Sequence, residues 1–384
     1  MHTRHERTTG STVVRKVVAA ATAMLLFAPG VAWVAGARGR PADNKAPVAF
    51  SGFDHGWSSL SAFGKYLGDR LPLRAPAIRS DGWIDEHVFR EDPAFGGSAS
   101  PEVMRGAKNQ LFFREDFTRS CRPWNTVAAD MSSLSRIATL IADSGRDIVT
   151  MVAPNKSTVL SDSLPKRFPE RECWETYRDE LWAALDTSTI PGWLDVRGLL
   201  VNRRSATNHP LYLSGDSHWD SEGSLVAVHA LIETLAPGLF DDAEIVNTGM
   251  RTYTGDLAFL TGMPRPARTE VLEVQRDGVG RVSGVEIGNY ETRWVNSAQS
   301  AKLIPGRTVI VGDSFAVRAL EQIVPYFEDL TLVIPYAEDP SIVSTAIADA
   351  DHVVILIVER NLSFLMNGTL GPAFVDNLTA ALAG

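Results

Sequence analysis

Two short motifs contain the residue types of a serine-based acyl-transfer centre. One spans residues 309–315 (VIVGDSF), where Ser314 follows an apolar run and precedes an amphipathic stretch. The other spans residues 212–219 (YLSGDSHW), where Asp216 stands two positions before His218. A serine hydroxyl is a weak nucleophile unless an imidazole accepts its proton and a carboxylate orients that imidazole. The two motifs together therefore predict a Ser-His-Asp triad.

Ser217 is an alternative nucleophile, because the second motif has a Gly-Asp-Ser sequence of its own. It lies between the acid and the base on one short loop, where alternating side chains would point it away from both. Ser314 instead occupies a strand-to-helix turn, where the helix N-terminus offers free backbone N–H groups to an oxyanion. We therefore expect Ser314 to be the nucleophile. The structural alternative is that Ser314 and Asp216 merely cap the helices that follow them.

Four other residues are candidates for binding roles. Asn155, at the end of a predicted strand, is a candidate second oxyanion donor or a turn residue that bonds its own backbone. Arg318, one helical turn after Ser314, and Arg360, at the end of the last strand, are candidates to hold an anionic sugar or acyl donor. For both arginines a surface ion pair is the favoured interpretation. Trp219 is a candidate for stacking on a sugar, although packing is favoured.

The chain around these motifs predicts alternating helices and strands. Strands are expected at 147–153, 193–196, 308–311, 330–335 and 352–358, and helices at 126–144, 172–185, 221–235, 315–324, 341–348 and 372–382. Near-continuous apolar strands separated by helices indicate an α/β fold with a central parallel sheet that helices cover on both faces. In such sheets ligands bind at the carboxyl ends of the strands.

The first 40 residues predict an export segment. Residues 17–37 form an uncharged, mainly apolar run of about 21 residues after a basic N-terminus, long enough at ~1.5 Å per residue to cross a bilayer as a signal anchor. The same run fits a cleaved signal peptide, because Pro29-Gly30 and the small residues 35–37 are typical of one. Both interpretations place the rest of the chain outside the cytoplasm. A buried core helix is the third alternative.

The remaining sequence predicts two regions of unequal size. Residues 41–97, rich in Gly, Pro, Asp and Ser, are expected to form an irregular extension. Residues 98–384 are expected to form the α/β domain, with a β-rich insertion at about 247–303. Within that domain Cys121 and Cys173 are a candidate disulfide if the chain is exported, or else two separate thiols. No metal site is expected, because neither the cysteines nor the Asp216/His218 pair has further ligands at metal-binding spacing.

Composition excludes several classes of protein. The 384 residues are 45% hydrophobic and 22% charged, which is typical of a globular protein and not of a disordered or multi-span membrane protein. The net charge of −9 would repel a phosphate backbone, so we expect no nucleic-acid partner. A local basic groove in such a protein can still bind an acidic glycan.

The motifs resemble the SGNH hydrolase-like domain of the AlgX/AlgJ-type alginate O-acetyltransferase family. In that family an Asp-x-His-Trp element precedes a Gly-Asp-Ser-Phe element, whereas ordinary SGNH esterases have the reverse order. Three lesser elements fit the same resemblance: 152–156 (VAPNK), 254–257 (TGDL) and 358–360 (VER). The resemblance covers residues from about 97 to 384 and implies an SGNH-hydrolase-like fold.

The resemblance also implies a function. It implies an exported O-acetyltransferase that acetylates a cell-surface or extracellular polysaccharide through an acetyl-serine at Ser314, with His218 as general base and then acid, and Asp216 as its orienting acid. It implies a membrane acyltransferase partner that supplies acetyl groups, no cofactor, and a location on the outer face of the cell membrane, or periplasmic or secreted after cleavage. Two alternatives remain: a carbohydrate esterase, and an inactive membrane-tethered glycan-binding protein.

Overall fold

The computed structural model describes residues 7–37, 102–261, 266–280, 282–288, 290–296 and 303–383, with single positions 52, 63, 64, 66, 72 and 80. The chain divides into two compact units. The first comprises Met1–Pro101 with Ala258–Pro264, and the second comprises Glu102–Leu257 with Arg265–Gly384. The irregular extension predicted for residues 41–97 lies almost entirely outside the described residues.

The described N-terminal part of the first unit is one helix, α1 (Arg7–Val34), which contains Pro29. The apolar run predicted from the sequence thus folds mostly as helix. Among the described residues, no helix has both the length and the apolar character needed to span a bilayer. The signal-anchor and signal-peptide interpretations of this segment stay predictions.

The other helices and strands lie in the second unit, except that the helix Asp256–Leu260 ends in residues of the first unit. Their bounds are β1 (Val103–Arg105), β2 (Leu111–Phe113), α2 (Glu115–Cys121), α3 (Val127–Asp143), β3 (Asp147–Ala153), α4 (Lys156–Val159), α5 (Arg171–Asp186), β4 (Trp193–Leu194), α6 (Val196–Thr207), α7 (Ser221–Leu235), β5 (Ala243–Tyr253), α8 (Asp256–Leu260), β6 (Ala267–Arg276), β7 (Val285–Glu286), β8 (Glu291–Val295), β9 (Ile304–Gly312), α9 (Ser314–Ile323), β10 (Phe327–Val333), α10 (Pro340–Ala348), β11 (His352–Val358), α11 (Glu359–Asn367) and α12 (Pro372–Leu382).

A seven-stranded sheet forms the centre of the second unit, in the order β4-β3-β11-β9-β10-β8-β7. The first five strands are parallel; β8 then pairs antiparallel with β10, and β7 pairs antiparallel with β8. Alternate residues of β11 belong to different hydrophobic clusters. Val354 and Leu356 belong to one cluster, and Val353 and Ile355 belong to the other. Because side chains alternate across a strand, the two clusters are the cores on the two faces of the sheet. The predicted α/β fold with a central parallel sheet is confirmed.

The region predicted as a β-rich insertion contains strands of two kinds. β5 and β6 form a separate antiparallel ribbon, with a register irregularity between Asn247 and Met250. β7 and β8 join the central sheet instead, where Val295 pairs with Asp329 of β10. The outer edge of β10 offers unpaired backbone groups, and β8 satisfies them. The segment is therefore partly an extension of the main sheet, and the predicted bounds of the insertion stay a prediction.

The two cysteines form a disulfide bond. Cys121, the last residue of α2, is joined to Cys173 in α5, and their Cα atoms lie 5.1 Å apart. The bond fixes α2 against α5, which also contact each other through Phe117 and Trp174. The cross-link thus stabilises the helices that lie beside the ends of β3 and β11.

Candidate functional site

The loop of residues 213–218 holds the acid and the base in contact. An antiparallel bridge between Tyr212 and Trp219 closes the loop. Oδ1 of Asp216 lies 2.6 Å from Nδ1 of His218 and accepts the backbone N–H of the same residue at 3.0 Å. The pair is shielded from water, because Asp216 is 1% exposed and His218 7%.

The charges around Asp216 determine which nitrogen of His218 carries a proton. Burial alone would raise the pKa of Asp216, but the hydrogen bond and charge of His218, with the charge of Arg318, lower that pKa well below its usual range. The ionised carboxylate can only accept, so Nδ1 of His218 donates to it. In the neutral imidazole, Nε2 then has a free lone pair. It is buried and has no hydrogen-bond partner among the described residues.

Ser314 is the first residue of α9, at the carboxyl end of β9. The preceding residue, Asp313, caps this helix: its Oδ1 accepts the N–H of Phe315 at 3.0 Å. Oδ2 of Asp313 accepts the N–H of Val358 at 2.8 Å and Nδ2–H of Asn361 at 2.9 Å. The capping role that the sequence left open for Ser314 is thus filled by its neighbour, and the Ser314 hydroxyl is not needed for it.

The two motifs meet at the carboxyl edge of the sheet. The ring of His218 lies 5.0 Å from the ring of Phe315, the residue that follows Ser314. In the part of the chain that the structure describes, no hydrogen bond joins the Ser314 hydroxyl to Nε2 of His218. The structure therefore places the residue after Ser314 against the imidazole, and a contact between the Ser314 hydroxyl and His218 stays a prediction.

Ser217 has a different role from Ser314. Its hydroxyl donates to Oδ2 of Asp256 at 2.7 Å, and its backbone N–H donates to Oδ1 of the same residue at 2.8 Å. Its Oγ lies 3.5 Å from Nδ1 of His218, the nitrogen that already faces Asp216. Ser217 therefore faces the wrong side of the imidazole for a nucleophile, which favours Ser314.

Asp256, the first residue of α8, anchors the loop of the acid and base, a role that the sequence did not reveal. Besides its bonds to Ser217, its backbone N–H donates to Oδ2 of Asp216 at 3.3 Å. The preceding Gly255 packs so closely that a Cβ there would lie 2.0 Å from the carbonyl oxygen of Gly215. In the sequence, only the 254–257 (TGDL) element pointed to this position. Its contact with the acid–base loop, 39 residues earlier in the chain, is visible only in the fold.

Asp216, His218 and Asp256 also form the one group of metal-ligand type in the described parts of the chain, with ligand atoms within 4.8 Å of one another. These atoms are already bonded: Nδ1 of His218 to Asp216, and the Asp256 carboxylate to Ser217. A metal ion would have to displace those bonds. The geometry therefore fits an acid–base pair with a supporting carboxylate better than a coordination site.

Arg318 makes the ion pair expected of it, and the partner is the acid of the site. Its Nη2 lies 3.3 Å from Oδ2 of Asp216, and its side chain is 49% exposed. Arg318 thus lies at the rim of the site, one turn after Ser314 on the same helix.

For Arg360 the expectation of a surface ion pair is wrong. Its side chain is 8% exposed, with Nη1 at 3.6 Å from Oδ1 of Asp116. The guanidinium lies 5.6 Å from the ring centroid of Phe113 and 5.3 Å from that of Phe315. Its Nη2 also reaches the Ser217 hydroxyl at 3.4 Å. Aromatic residues from two distant segments enclose this arginine, which the local sequence does not show.

Asn155 and Trp219 are both buried. Asn155 follows the end of β3, and its Oδ1 accepts the N–H of Arg360 at 3.3 Å, so it lies at the same sheet edge as Ser314. Its role as an oxyanion donor stays a prediction. Trp219 packs edge-on against Phe315 at 5.0 Å. It belongs to the core and does not offer a face to a sugar.

Two buried carboxyl groups behind the site were not singled out from the sequence. Burial raises the pKa of Asp116 to about 6, although the charge of Arg360 opposes the shift. Burial likewise raises the pKa of Glu359 to about 7, against hydrogen bonds from the Asn155 N–H and the Thr158 hydroxyl. Those bonds, at 2.9 and 2.7 Å, tie the end of β3 to the start of α11. Glu359 thus fixes Asn155 and Arg360 at the same edge.

A protein-family model matches more than half of the chain. The family model of the SGNH hydrolase-like domain of acetyltransferase AlgX matches residues 103–317, which include both motifs. No curated protein sequence matches the chain.

The chain is similar to several solved structures at low sequence identity. Bacillus cereus PatB1 is 11% identical, with 70% of this chain and 99% of that chain covered and a TM-score of 0.50. PatB1 with a sulfonyl adduct is 12% identical, with 70% and 98% covered and a TM-score of 0.51. The O-acetyltransferase domain of Pseudomonas putida AlgJ is 16% identical, with 73% and 99% covered and a TM-score of 0.47.

Proposed function

Because the chain belongs to the family of the SGNH hydrolase-like acetyltransferase AlgX, we propose that it is an O-acetyltransferase acting on polysaccharide hydroxyls outside the cytoplasm. The observation that carries the proposal is the state of His218. Its Nδ1 is held by an ionised Asp216, and its Nε2 is buried and unpartnered among the described residues, beside the helix that Ser314 begins. Such an imidazole is ready to accept a proton from a nucleophile.

The reaction proceeds in two steps. In the first, Oγ of Ser314 attacks the acetyl carbonyl of the donor, its proton passes to Nε2 of His218, and that proton then goes to the departing group of the donor. In the second, a sugar hydroxyl attacks the acetyl-serine, gives its proton to Nε2, and His218 returns that proton to Oγ of Ser314. Asp216 stabilises the imidazolium in both steps.

The oxyanion formed in each step needs hydrogen-bond donors. The backbone N–H of Ser314 is one donor, because the first N–H groups of a helix have no partner within the helix. Asn155, which follows the end of β3 at the same edge of the sheet, is the proposed second donor. Loss of one such donor typically lowers turnover by about 10²–10³.

An oxidising location outside the cytoplasm is part of the proposal. The disulfide between Cys121 and Cys173 supports it, because structural disulfides persist mainly in exported proteins. The acceptor is a polysaccharide, and the acetyl donor is supplied by a membrane acyltransferase partner.

The test uses the purified protein with a chromogenic acetyl ester as donor and an oligosaccharide as acceptor. We expect acetylated oligosaccharide, and an acetyl group on the Ser314 peptide by mass spectrometry after brief reaction with the donor alone. Ser314→Ala should abolish both products, whereas the matched variant Ser217→Ala should keep them. Free acetate with no acetylated sugar would indicate an esterase, and an acetyl group on another residue would overturn the proposed mechanism.

A further inference from the structure

Lys156 is buried, and its side chain contacts the loop that carries Asp216. It is the first residue of α4 and is 1% exposed. Its Nζ donates to three backbone carbonyls of that loop: Leu213 at 2.6 Å, Ser214 at 3.0 Å and Asp216 at 3.1 Å. An ammonium has three N–H donors, so all of them are used on one short segment.

This arrangement is costly and therefore informative. A fully buried ammonium loses its hydration, and neutral carbonyls compensate for that loss only in part. Nζ of Lys156 also lies 5.4 Å from the ring centroid of Phe112, which adds a cation–π contact. An apolar side chain of similar length would fill the same volume without this cost, but it would neither bond the loop nor place a positive charge there.

The positive charge faces several carboxylates. The acidic groups that act on Lys156 come from α2, from the loop itself, from the start of α7 and from α8: Asp116, Asp216, Asp220 and Asp256. Two of them, Asp216 and Asp256, also approach Nδ1 of His218, at 2.6 and 3.7 Å. The positive charge of Lys156 thus lies near the same two carboxylates that place negative charge beside the imidazole.

We propose that Lys156 is a positioning residue of the acetyl-transfer site: its ammonium holds the 213–216 segment so that Asp216 meets His218, and it offsets the charge of the Asp216 and Asp256 carboxylates at the imidazole. The inference rests on the proposed function, since it assigns a role in preparing the same base.

The protonation of Lys156 fits this role. Burial lowers its pKa to about 7, although the surrounding carboxylates oppose the shift. The ammonium is therefore mostly charged at pH values well below 7 and loses its charge as the pH rises through 7. The charge offset that Lys156 provides is therefore strongest on the acid side of pH 7.

Two variants separate the two parts of the role. Lys156→Met removes both the charge and the donors, whereas Lys156→Gln removes the charge but keeps an amide that can donate to the loop. Lys166→Met is the matched control, because it makes the same substitution at an exposed position. Circular dichroism of each protein establishes whether it is folded.

The decisive readout is the NMR titration of the His218 ring, which needs no substrate and is assigned by its loss in His218→Gln. We expect the titration midpoint to rise by about one pH unit in both Lys156 variants and to stay unchanged in Lys166→Met. The acid limb of kcat/KM for the acetyl ester should move upward by the same amount. The turnover of Lys156→Gln at its optimum should exceed that of Lys156→Met about tenfold, because the amide keeps part of the loop in place.

The outcomes distinguish this inference from the proposed function. An unchanged midpoint in a folded Lys156→Gln would overturn the inference, and so would loss of folding in both variants, since Lys156 would then be merely structural. Failure of the wild type to form an acetyl-serine would overturn the proposed function alone, while the NMR titration would still report on Lys156.

Discussion

Nη2 of Arg318 lies 3.3 Å from Oδ2 of Asp216, although 102 residues separate them in the sequence. The contact joins the helix that begins with Ser314 to the loop that carries the acid and base. It also occupies the carboxylate oxygen that His218 leaves unused. The two halves of the site are therefore linked by an ion pair as well as by the sheet.

The first prediction concerns this ion pair. Arg318→Met should lower kcat/KM for a small acetyl ester by about threefold to tenfold, because the Arg318 side chain is half exposed and water weakens its ion pair with the buried Asp216. Arg203→Met is the control, since Arg203 is equally exposed and pairs with Glu222. Steady-state kinetics of both variants provides the test. Equal effects of the two substitutions would show that the Arg318 contact has no special role.

The second prediction separates the two carboxylates near His218. Asp216→Asn should lower kcat by about 10³–10⁴, because an amide no longer holds Nδ1–H and the imidazole loses its orientation. Asp256→Asn should cost far less, since Asp256 bonds Ser217 and lies 3.7 Å from Nδ1. Single-turnover acetylation rates measure both effects. An equal or larger loss in Asp256→Asn would make Asp256 the principal acid.

The third prediction follows from the buried carboxyl of Glu359. Burial raises its pKa to about 7 from 4.5, so between these values the folded protein retains a proton that the unfolded chain releases. This group therefore makes the free energy of unfolding fall as the pH rises from 4.5 to 7. The free energy of unfolding of wild type, minus that of Glu359→Gln, should therefore decrease as the pH rises through this range. The expected decrease is on the order of 1–3 kcal/mol.

Urea unfolding at several pH values between 4.5 and 7.5 measures this difference. Glu244→Gln, at an exposed position, is the control and should leave the pH dependence unchanged. A constant difference between wild type and Glu359→Gln across the range would contradict the prediction.

The fourth prediction concerns the disulfide. The bond joins two cysteines that are 52 positions apart in the sequence. Its removal therefore raises the conformational entropy of the unfolded chain. The double variant Cys121→Ser/Cys173→Ser should lose about 2–4 kcal/mol in the free energy of unfolding. Wild type unfolded in the presence of a reductant should show the same loss. Equal stability of the oxidised and the reduced protein would contradict this prediction.

The sequence predicted the alternating elements and the sheet edge well, because long apolar strands and periodic helices are local patterns. The strand at His352–Val358 and the helix at Ser221–Leu235 have the bounds that were predicted. Helix α11 was missed, since it begins directly after β11 at Glu359, and its N-cap residue, Val358, forms no side-chain capping hydrogen bond.

The parts of the site that the sequence did not reveal depend on contacts between distant segments. Arg360 was expected to form a surface ion pair, but Phe113 and Phe315 enclose it. Lys156 was expected only as part of a motif, and its burial depends on the loop 57 residues further along. Burial of a charged side chain is decided by the whole fold, which local patterns do not encode.

Asp313 has a practical consequence for work on this protein. Because this residue, and not its neighbour, secures the turn between β9 and α9, the hydroxyl of Ser314 can be deleted without removing a structural bond. Ser314→Ala should thus keep the native architecture while turnover stops. The silenced protein is a suitable bait for trapping an uncleaved acetyl donor, or an acceptor chain, in crystals and in pull-down experiments.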